Sequence, residues 1–108
     1  MTKVRKGPAT KSALISKLEN EVELLQRHIA MLRIIQEHEP IGIIRLAEMA
    51  GQPQHKIRYS LRILEHESLI RPSPEGAVVT ERVKPFLRDL RRVVSDFSTT
   101  FGRIKKDL

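Results

Sequence analysis

The sequence has no cysteine and no tryptophan, and its aromatic residues are one tyrosine and three phenylalanines in 108 positions. Without cysteine there is no disulfide framework, no thiolate zinc site and no cysteine nucleophile, and the chain is compatible with a reducing compartment. No apolar run approaches the length of a membrane span, and the first residues lack the apolar segment of a secretory signal. These absences predict a cytoplasmic protein without a membrane partner.

The sequence motifs of catalysis are also missing. There is no glycine-rich phosphate loop, no nucleophile elbow and no pair of carboxylates at a catalytic spacing, so we expect neither enzymatic activity nor a cofactor. Residues 37–39 and 65–67 both read Glu-His-Glu. Each triplet lies near an expected helix C-terminus, where a protonated histidine interacts favourably with the helix dipole. Convergence of the two on a metal is the alternative, but their spacing matches no known metal-binding motif, and we predict no metal site.

The composition is strongly basic, with 20 Lys and Arg against 13 Asp and Glu, a net charge of +7 and a sequence pI near 10.3. Such a balance favours polyanionic partners. Residues 1–17 hold five of the bases and no acid, and residues 77–108 hold eight bases and four acids. Residues 1–11 are expected to form a flexible basic arm. Attraction to phosphates follows from its charge, and a frayed tail is favoured over specific contacts in a minor groove.

Two short segments with apolar periodicity, joined by three residues, predict a helix-turn-helix over residues 42–67. The first segment, 43–50, is largely apolar, and Gly51 can end it because glycine readily adopts the left-handed conformation that follows many helices. Pro53 suits the first position of the second helix, where its missing N–H has no partner to lose. That second helix, expected over residues 53–67, buries a face made of Ile57, Leu61 and Leu64.

Residues 69–80 are expected to form a short β-hairpin. Two strand-like segments flank Ser73-Pro74-Glu75-Gly76, which has proline and glycine at the turn positions that favour them. A long helix of residues 12–38 precedes the helix-turn-helix, and another of residues 81–106, for which Thr80 can serve as N-cap, follows the hairpin. The predicted fold class is mainly α with a small β-hairpin, in a single domain of residues 12–108.

The order of helix, short turn, helix and hairpin resembles the winged helix-turn-helix superfamily, in particular small archaeal and bacterial DNA-binding regulators and basic archaeal chromosomal proteins. The matching residues are Leu46-Ala47, Ala50-Gly51, Ile57, Leu61, Leu64, Leu69-Ile70 and Val79-Thr80-Glu81. The chain departs from the pattern at Ser68 and Val83, where the superfamily often has glycine, and a residue other than glycine at the first position strains the backbone. The resemblance implies DNA binding, with the second helix in the major groove and the hairpin as the wing.

The face of the second helix opposite its apolar residues is polar and basic, and no acid occurs from Gln54 to Leu64. Arginine can donate two hydrogen bonds to guanine or to a phosphate, and the N-terminal residues of a recognition helix usually approach the bases. The predicted DNA contacts are Gln54, His55, Lys56, Arg58, Tyr59, Arg62 and Arg71. The alternatives are a solvated face and, for Tyr59, packing against the preceding helix. The hairpin tip holds Glu75 and no base, so we do not expect it to enter a minor groove.

The two long helices carry apolar residues that alternate three and four positions apart, the spacing of a heptad seam. In the first helix they are Ile15, Leu18, Val22, Leu25, Ile29 and Leu32, and in the last they are Val83, Leu87, Leu90, Val94, Phe97, Phe101, Ile104 and Leu108. The C-terminal half of the first helix is expected to serve the core and its N-terminal half to project from it. We predict a homodimer through Ile15, Leu18, Val22, Leu90, Val94, Phe97, Phe101 and Ile104. The alternative is a monomer whose terminal helices fold back on each other.

The sequence therefore predicts a sequence-specific DNA-binding transcriptional regulator that acts as a homodimer in the cytoplasm, on the nucleoid. A twofold dimer can hold two recognition helices at the spacing of about 34–36 Å between half-sites on one face of DNA. Two other functions remain open: a winged-helix module that binds protein in a transcription or replication assembly, and a nucleoid-associated DNA-packaging protein. RNA binding is disfavoured because Tyr59 is the single aromatic residue expected to be available for base stacking.

Overall fold

A computed structural model describes residues 12–108 of the chain. Its elements are α1 (Ala13–His38), α2 (Ile43–Ala50), α3 (Gln54–His66), β1 (Ile70–Ser73), β2 (Gly76–Val79) and α4 (Val83–Asp107). The two strands form one antiparallel sheet. The predicted class, mainly helical with a small β-hairpin, is confirmed at this level. The basic arm predicted for residues 1–11 lies outside the described residues.

Helix α1 begins at a serine cap and enters the core with its C-terminal half. The Oγ of Ser12 accepts a 3.0 Å hydrogen bond from the backbone N–H of Ile15, which satisfies one of the free donors at the start of the helix. Met31, Leu32 and Ile35 are fully buried, whereas the apolar residues of the first three turns are exposed. The predicted division of this helix into a core half and a projecting half is confirmed.

Three residues turn the chain between α2 and α3. Gly51 has a φ of 65°, in the left-handed region, and so ends α2 as predicted. Pro53, however, precedes the first helical residue of α3 instead of occupying it. The carbonyl of Pro53 accepts hydrogen bonds from the N–H groups of Lys56 and Ile57, at 3.1 and 3.2 Å. Helix α3 therefore begins one residue later than predicted, because Pro53 has the extended backbone of an N-cap.

The core lies where α1, α2, α3, the hairpin and the first residue of α4 meet. Its buried apolar residues are Met31, Leu32, Ile35, Ile41, Leu46, Ala47, Ile57, Leu64, Leu69, Ile70 and Val83. Leu61 packs against this cluster and is partly buried, so the three apolar residues predicted for the inner face of α3 all contribute to the core. Burying a large aliphatic side chain contributes roughly 1.5–3 kcal/mol, which makes this cluster the main source of stability.

The hairpin is tied to the connection between α1 and α2. Strands β1 and β2 pair from Ile70↔Val79 to Ser73↔Gly76. Ile41 adds an isolated bridge to Ala77, with N–H to carbonyl distances of 3.2 and 2.9 Å in the two directions. This bridge, which the sequence did not predict, fixes the hairpin against the rest of the domain.

Helix α4 begins at Val83, two residues later than predicted, and Thr80 is not its N-cap. Arg82 occupies the N-cap position. The Thr80 hydroxyl instead donates a 2.7 Å hydrogen bond to the carbonyl of Ser68 and accepts one of 3.2 Å from the N–H of Arg82. The prediction was wrong because this hydroxyl closes the turn between β2 and α4 and joins it to the segment after α3.

The long terminal helices make the described part of the molecule elongated. Its radius of gyration is 16.8 Å, against about 13 Å for a compact chain of 100 residues. Helix α4 contacts the core through Val83, Phe86 and Leu87. From Val94 onward all of its residues are exposed, so its distal half projects from the domain.

Ser68 is the one residue other than glycine with a positive φ, 63°, in the described part of the chain. The left-handed conformation costs a residue with a Cβ atom about 1–2 kcal/mol. Ser68→Gly is therefore expected to raise the free energy of unfolding by about 0.5–1 kcal/mol, since glycine also gains some entropy in the unfolded chain. Chemical denaturation measures this difference. Ser68→Ala, which keeps the Cβ atom, is the control, and equal stabilisation by alanine would contradict strain at this position.

Candidate nucleic-acid interface

The outward face of α3 presents polar and basic side chains from its N-terminus onward. The exposed ones are Gln54, His55, Arg58, Tyr59 and Arg62. The Nη2 of Arg58 donates a 3.3 Å hydrogen bond to the Oε1 of Gln54, one turn earlier, so two of the predicted contact residues are joined. The first acid on this helix is Glu65. The partial positive charge of the helix N-terminus adds to this basic character, and the face as a whole suits an anionic ligand.

Lys56 lies at the edge of this face and pairs with α1. Its Nζ is 3.9 Å from the Oε2 of Glu23, and the two side chains are 40% and 60% exposed. An ion pair this exposed contributes about 1 kcal/mol or less. Lys56 is therefore held toward α1 weakly enough to exchange its carboxylate for another anion.

Ser60 joins the middle of α3 to α1, and it is the only polar residue among those described that is buried. Its Oγ lies 2.9 Å from the Nε of Arg27 and 2.9 Å from the Nδ1 of His28. Burial, and then the charge of Arg27, lower the pKa of His28 below its ordinary value. Arg27 donates to the Ser60 hydroxyl, since a guanidinium cannot accept, and where Nδ1 of His28 carries no proton the hydroxyl can donate to it in turn.

Tyr59 packs against α1 on one side and remains accessible on the other. Its ring centre lies 6.4 Å from that of His28, with 32° between the ring planes. The side chain is 42% exposed. The alternative was that Tyr59 packs against the preceding helix, which is α2, but the ring contact is with His28 of α1.

Arg71 lies apart from the N-terminal end of α3. It is exposed on β1, opposite Val78, and lines a shallow cavity of about 210 Å³ together with Leu61 and Glu65 of α3. The turn between β1 and β2 carries Glu75 and no base. The hairpin thus places one arginine beside the C-terminal half of α3, with an acid at its tip.

The apolar residues predicted for a dimer interface are accessible on α1 and α4. Leu90 is partly buried, and the other seven are between 45% and 57% exposed. On α4 the rings of Phe97 and Phe101 form a pair with centres 6.3 Å apart. A monomer closed by its own terminal helices would bury these side chains, so the two seams do not satisfy each other within one chain.

An open groove of about 1010 Å³ separates α1 from α4. Its apolar walls are formed by Val22, Leu25 and Ile29 of α1 and by Leu87, Leu90 and Val94 of α4. Arg33, Glu37 and Arg91 are among its polar lining residues. The groove therefore has apolar walls with charged groups beside them.

Three residues of α1 contact α3 without having been predicted to do so. Glu23, Arg27 and His28 have their α3 partners 31 to 33 positions further along the chain. Within α1 they occupy positions that read as solvated, beside the apolar seam. No local pattern signals these contacts, because they depend on how α1 crosses α3.

None of the helices within residues 12–108 combines the length and the apolar character needed to span a membrane. In the same part of the chain, no three His, Asp or Glu side chains come close enough together to hold a metal ion.

No protein-family model matches the chain, and no curated protein matches it in sequence. What the face of α3 binds is therefore inferred from its own side chains and from the helices that surround it.

Proposed function

We propose that the protein is a winged helix-turn-helix DNA-binding protein, with α3 as the recognition helix in the major groove of double-stranded DNA. The observation that carries this proposal is the exposed face of α3, which is basic and free of acids through its first three turns. An α-helix fits the major groove of B-DNA. A net charge of +7 would draw the chain to the phosphate backbone before any specific contact forms.

The side chains of α3 have distinct roles in this proposal. Gln54 and His55, at the N-terminal end, approach base edges, and Arg62 offers its guanidinium to guanine or to a phosphate. Arg58 is oriented along the helix by its bond to Gln54. Lys56 leaves its weak pair with Glu23 for a backbone phosphate.

The hairpin has a smaller part in the proposed interface. Arg71 is exposed at its base and can reach a phosphate, whereas the acidic Glu75 at its tip would be repelled by the backbone. In the proposed complex, the protein therefore contacts DNA chiefly in the major groove, and the tip of the hairpin stays outside the minor groove.

A second copy of the chain is the proposed partner of the exposed seams of α1 and α4. Nine large apolar side chains on these two helices, together with Leu108 at the end of α4, are 39% to 98% exposed. At roughly 80 Å² each they offer on the order of 800 Å² per chain, the area that each partner buries in a typical stable interface. The groove between α1 and α4 provides a recess for side chains of the second copy. The resulting homodimer would present two α3 helices to successive half-sites, as a sequence-specific transcriptional regulator requires.

Packaging of the nucleoid is the second candidate function. It is favoured by the spread of charge, because eight bases lie in residues 77–108, outside α3. A regulator binds its operator about a thousandfold or more tightly than random DNA, whereas a packaging protein has a ratio near one. Selection of tight-binding duplexes from a random pool, followed by a comparison of affinities, separates the two.

Substitution of Arg62 tests the proposed recognition face. Arg62→Ala is expected to weaken binding to duplex DNA about tenfold, since it removes a charged, two-pronged donor from the centre of the face. Fluorescence anisotropy with a labelled duplex at about 50 mM salt measures this loss.

The matched control is Arg92→Ala, which removes the same charge from an exposed position on α4. Among residues 12–108, Arg92 pairs only with Asp89 of its own helix, at 3.5 Å. Equal weakening by both substitutions would mean that net charge, and not the face of α3, determines binding. If the wild-type chain bound no duplex while retaining its dimer mass, the protein-binding module would be the better proposal.

A further inference from the structure

Helices α1 and α3 contact each other through polar side chains that are spaced one turn apart on each helix. Glu23 pairs with Lys56, and one turn further along both helices Arg27 bonds to Ser60. Tyr59, next to Ser60, stacks loosely on His28, next to Arg27. Tyr59 and Lys56 both belong to this contact between α1 and α3 and both have substantial exposed area, so the contact, in which Arg27 takes part, borders the outward face of α3.

The guanidinium of Arg27 forms one hydrogen bond, and most of its N–H donors have no acceptor among the described residues. Its Nε donates to the Oγ of Ser60 at 2.9 Å, and the described residues offer it no other hydrogen bond or ion pair. The two terminal amino groups carry four further N–H donors. The residue is only partly buried, so part of the side chain is accessible to solvent. Ser60 is fully buried, so its hydroxyl is an acceptor in a fixed position, and the hydrogen bond to it restricts the conformations of Arg27.

We infer that Arg27 is a DNA-phosphate contact supplied by α1, and that Ser60 is the residue that positions it. This inference rests on the proposed function. A helix in the major groove is flanked on both sides by phosphate backbone, so a guanidinium at the edge of the α3 face lies where that backbone passes. Its planar pair of terminal amino groups matches two phosphate oxygens. Because Ser60 holds the side chain in advance, little conformational freedom is lost on binding.

Arg27→Ala provides the first test, by anisotropy with a random duplex over a series of salt concentrations. The expected result is about tenfold weaker binding, and a slope of log K against log salt that is shallower by about 0.9, the value for one lost phosphate contact. Arg92→Ala again supplies the control, since it removes one charge at a distance from α3, and its expected loss is about twofold or less with the slope unchanged.

Ser60→Ala separates positioning from charge. It keeps Arg27 but removes the hydroxyl to which the arginine is hydrogen-bonded. We therefore expect about threefold weaker DNA binding in the wild-type background and no further loss of affinity in the Arg27→Ala background. Thermal melting of each variant establishes that the protein is folded at the temperature of the assay.

The outcomes distinguish this inference from the proposal on which it rests. If the wild type binds duplex DNA and Arg27→Ala binds equally well with the same salt slope, the role of Arg27 is wrong and DNA binding by α3 stands. If Ser60→Ala weakens binding equally in both backgrounds, Ser60 does not act through Arg27. If the wild type itself binds no duplex at about 50 mM salt, the proposed function fails and the inference fails with it.

Discussion

Gly76→Ala is expected to destabilise the domain by about 3–5 kcal/mol, a large share of the roughly 5–15 kcal/mol that holds a domain of this size together. Gly76 has a φ of 137°, a conformation that residues with a Cβ atom rarely adopt. A Cβ atom at this position would lie 2.5 Å from the carbonyl carbon of Ile41, 2.6 Å from its oxygen and 2.8 Å from its nitrogen. These neighbours are backbone atoms, so the chain itself must move. The expected cost is loss of the bridge between Ile41 and Ala77.

Thermal or urea denaturation measures the effect, with Gly102→Ala as the matched control. Gly102 lies within α4, and a Cβ atom there has no neighbour within 4 Å. The same substitution should therefore stabilise the chain at Gly102, by up to about 1 kcal/mol, because alanine is the better helix former. A Gly76→Ala variant as stable as the wild type would contradict the close approach of Ile41 to the hairpin.

Phe97→Asp is expected to convert the proposed dimer into a monomer. Phe97 is 57% exposed near the middle of the α4 seam. The free energy needed to bury a carboxylate among apolar side chains is far larger than the free energy that one apolar side chain contributes to the interface. Light scattering coupled to size exclusion should give a mass near 12.4 kDa for the variant and twice that for the wild type. Affinity for a duplex with two half-sites should fall about a hundredfold, because the second contact is no longer linked to the first.

Thr99→Asp is the control for charge, since it adds the same carboxylate two residues along α4, on the side away from the seam. It should leave the dimer mass unchanged. A wild-type mass near 12.4 kDa at micromolar concentration would remove the dimer from the proposal, whereas a dimer that survives Phe97→Asp would place the interface elsewhere.

The elements of this fold could be predicted because their causes are local. The long helices were predicted from apolar residues that recur every three or four positions. The observed bounds of α1 differ from the predicted 12–38 by one residue. Gly51 ended α2 for a reason visible in the sequence, the low cost of a positive φ. Ser68 was recognised as a position that suits glycine, and its φ of 63° agrees.

The features that could not be predicted depend on residues far apart in the chain. The bridge from Ile41 to Ala77 requires the hairpin to lie beside the loop after α1. Thr80 was expected to cap α4, but its hydroxyl bonds to Ser68, twelve positions earlier. At the candidate interface, the exposed side chains of α3 could be predicted from helical periodicity. The contact of Arg27 with α3 could not be predicted, because its partner Ser60 is 33 positions away.

The salt dependence of binding to random duplex DNA tests the central claim most directly, because it reports phosphate contacts whether or not an operator is known. The wild-type chain should bind at about 50 mM salt, and log K should fall with log salt at a slope of roughly −3 to −4 if about four phosphates are contacted. Arg62→Ala should bind more weakly under the same conditions. The absence of any binding at about 50 mM salt would contradict the assignment of α3 as a DNA recognition helix.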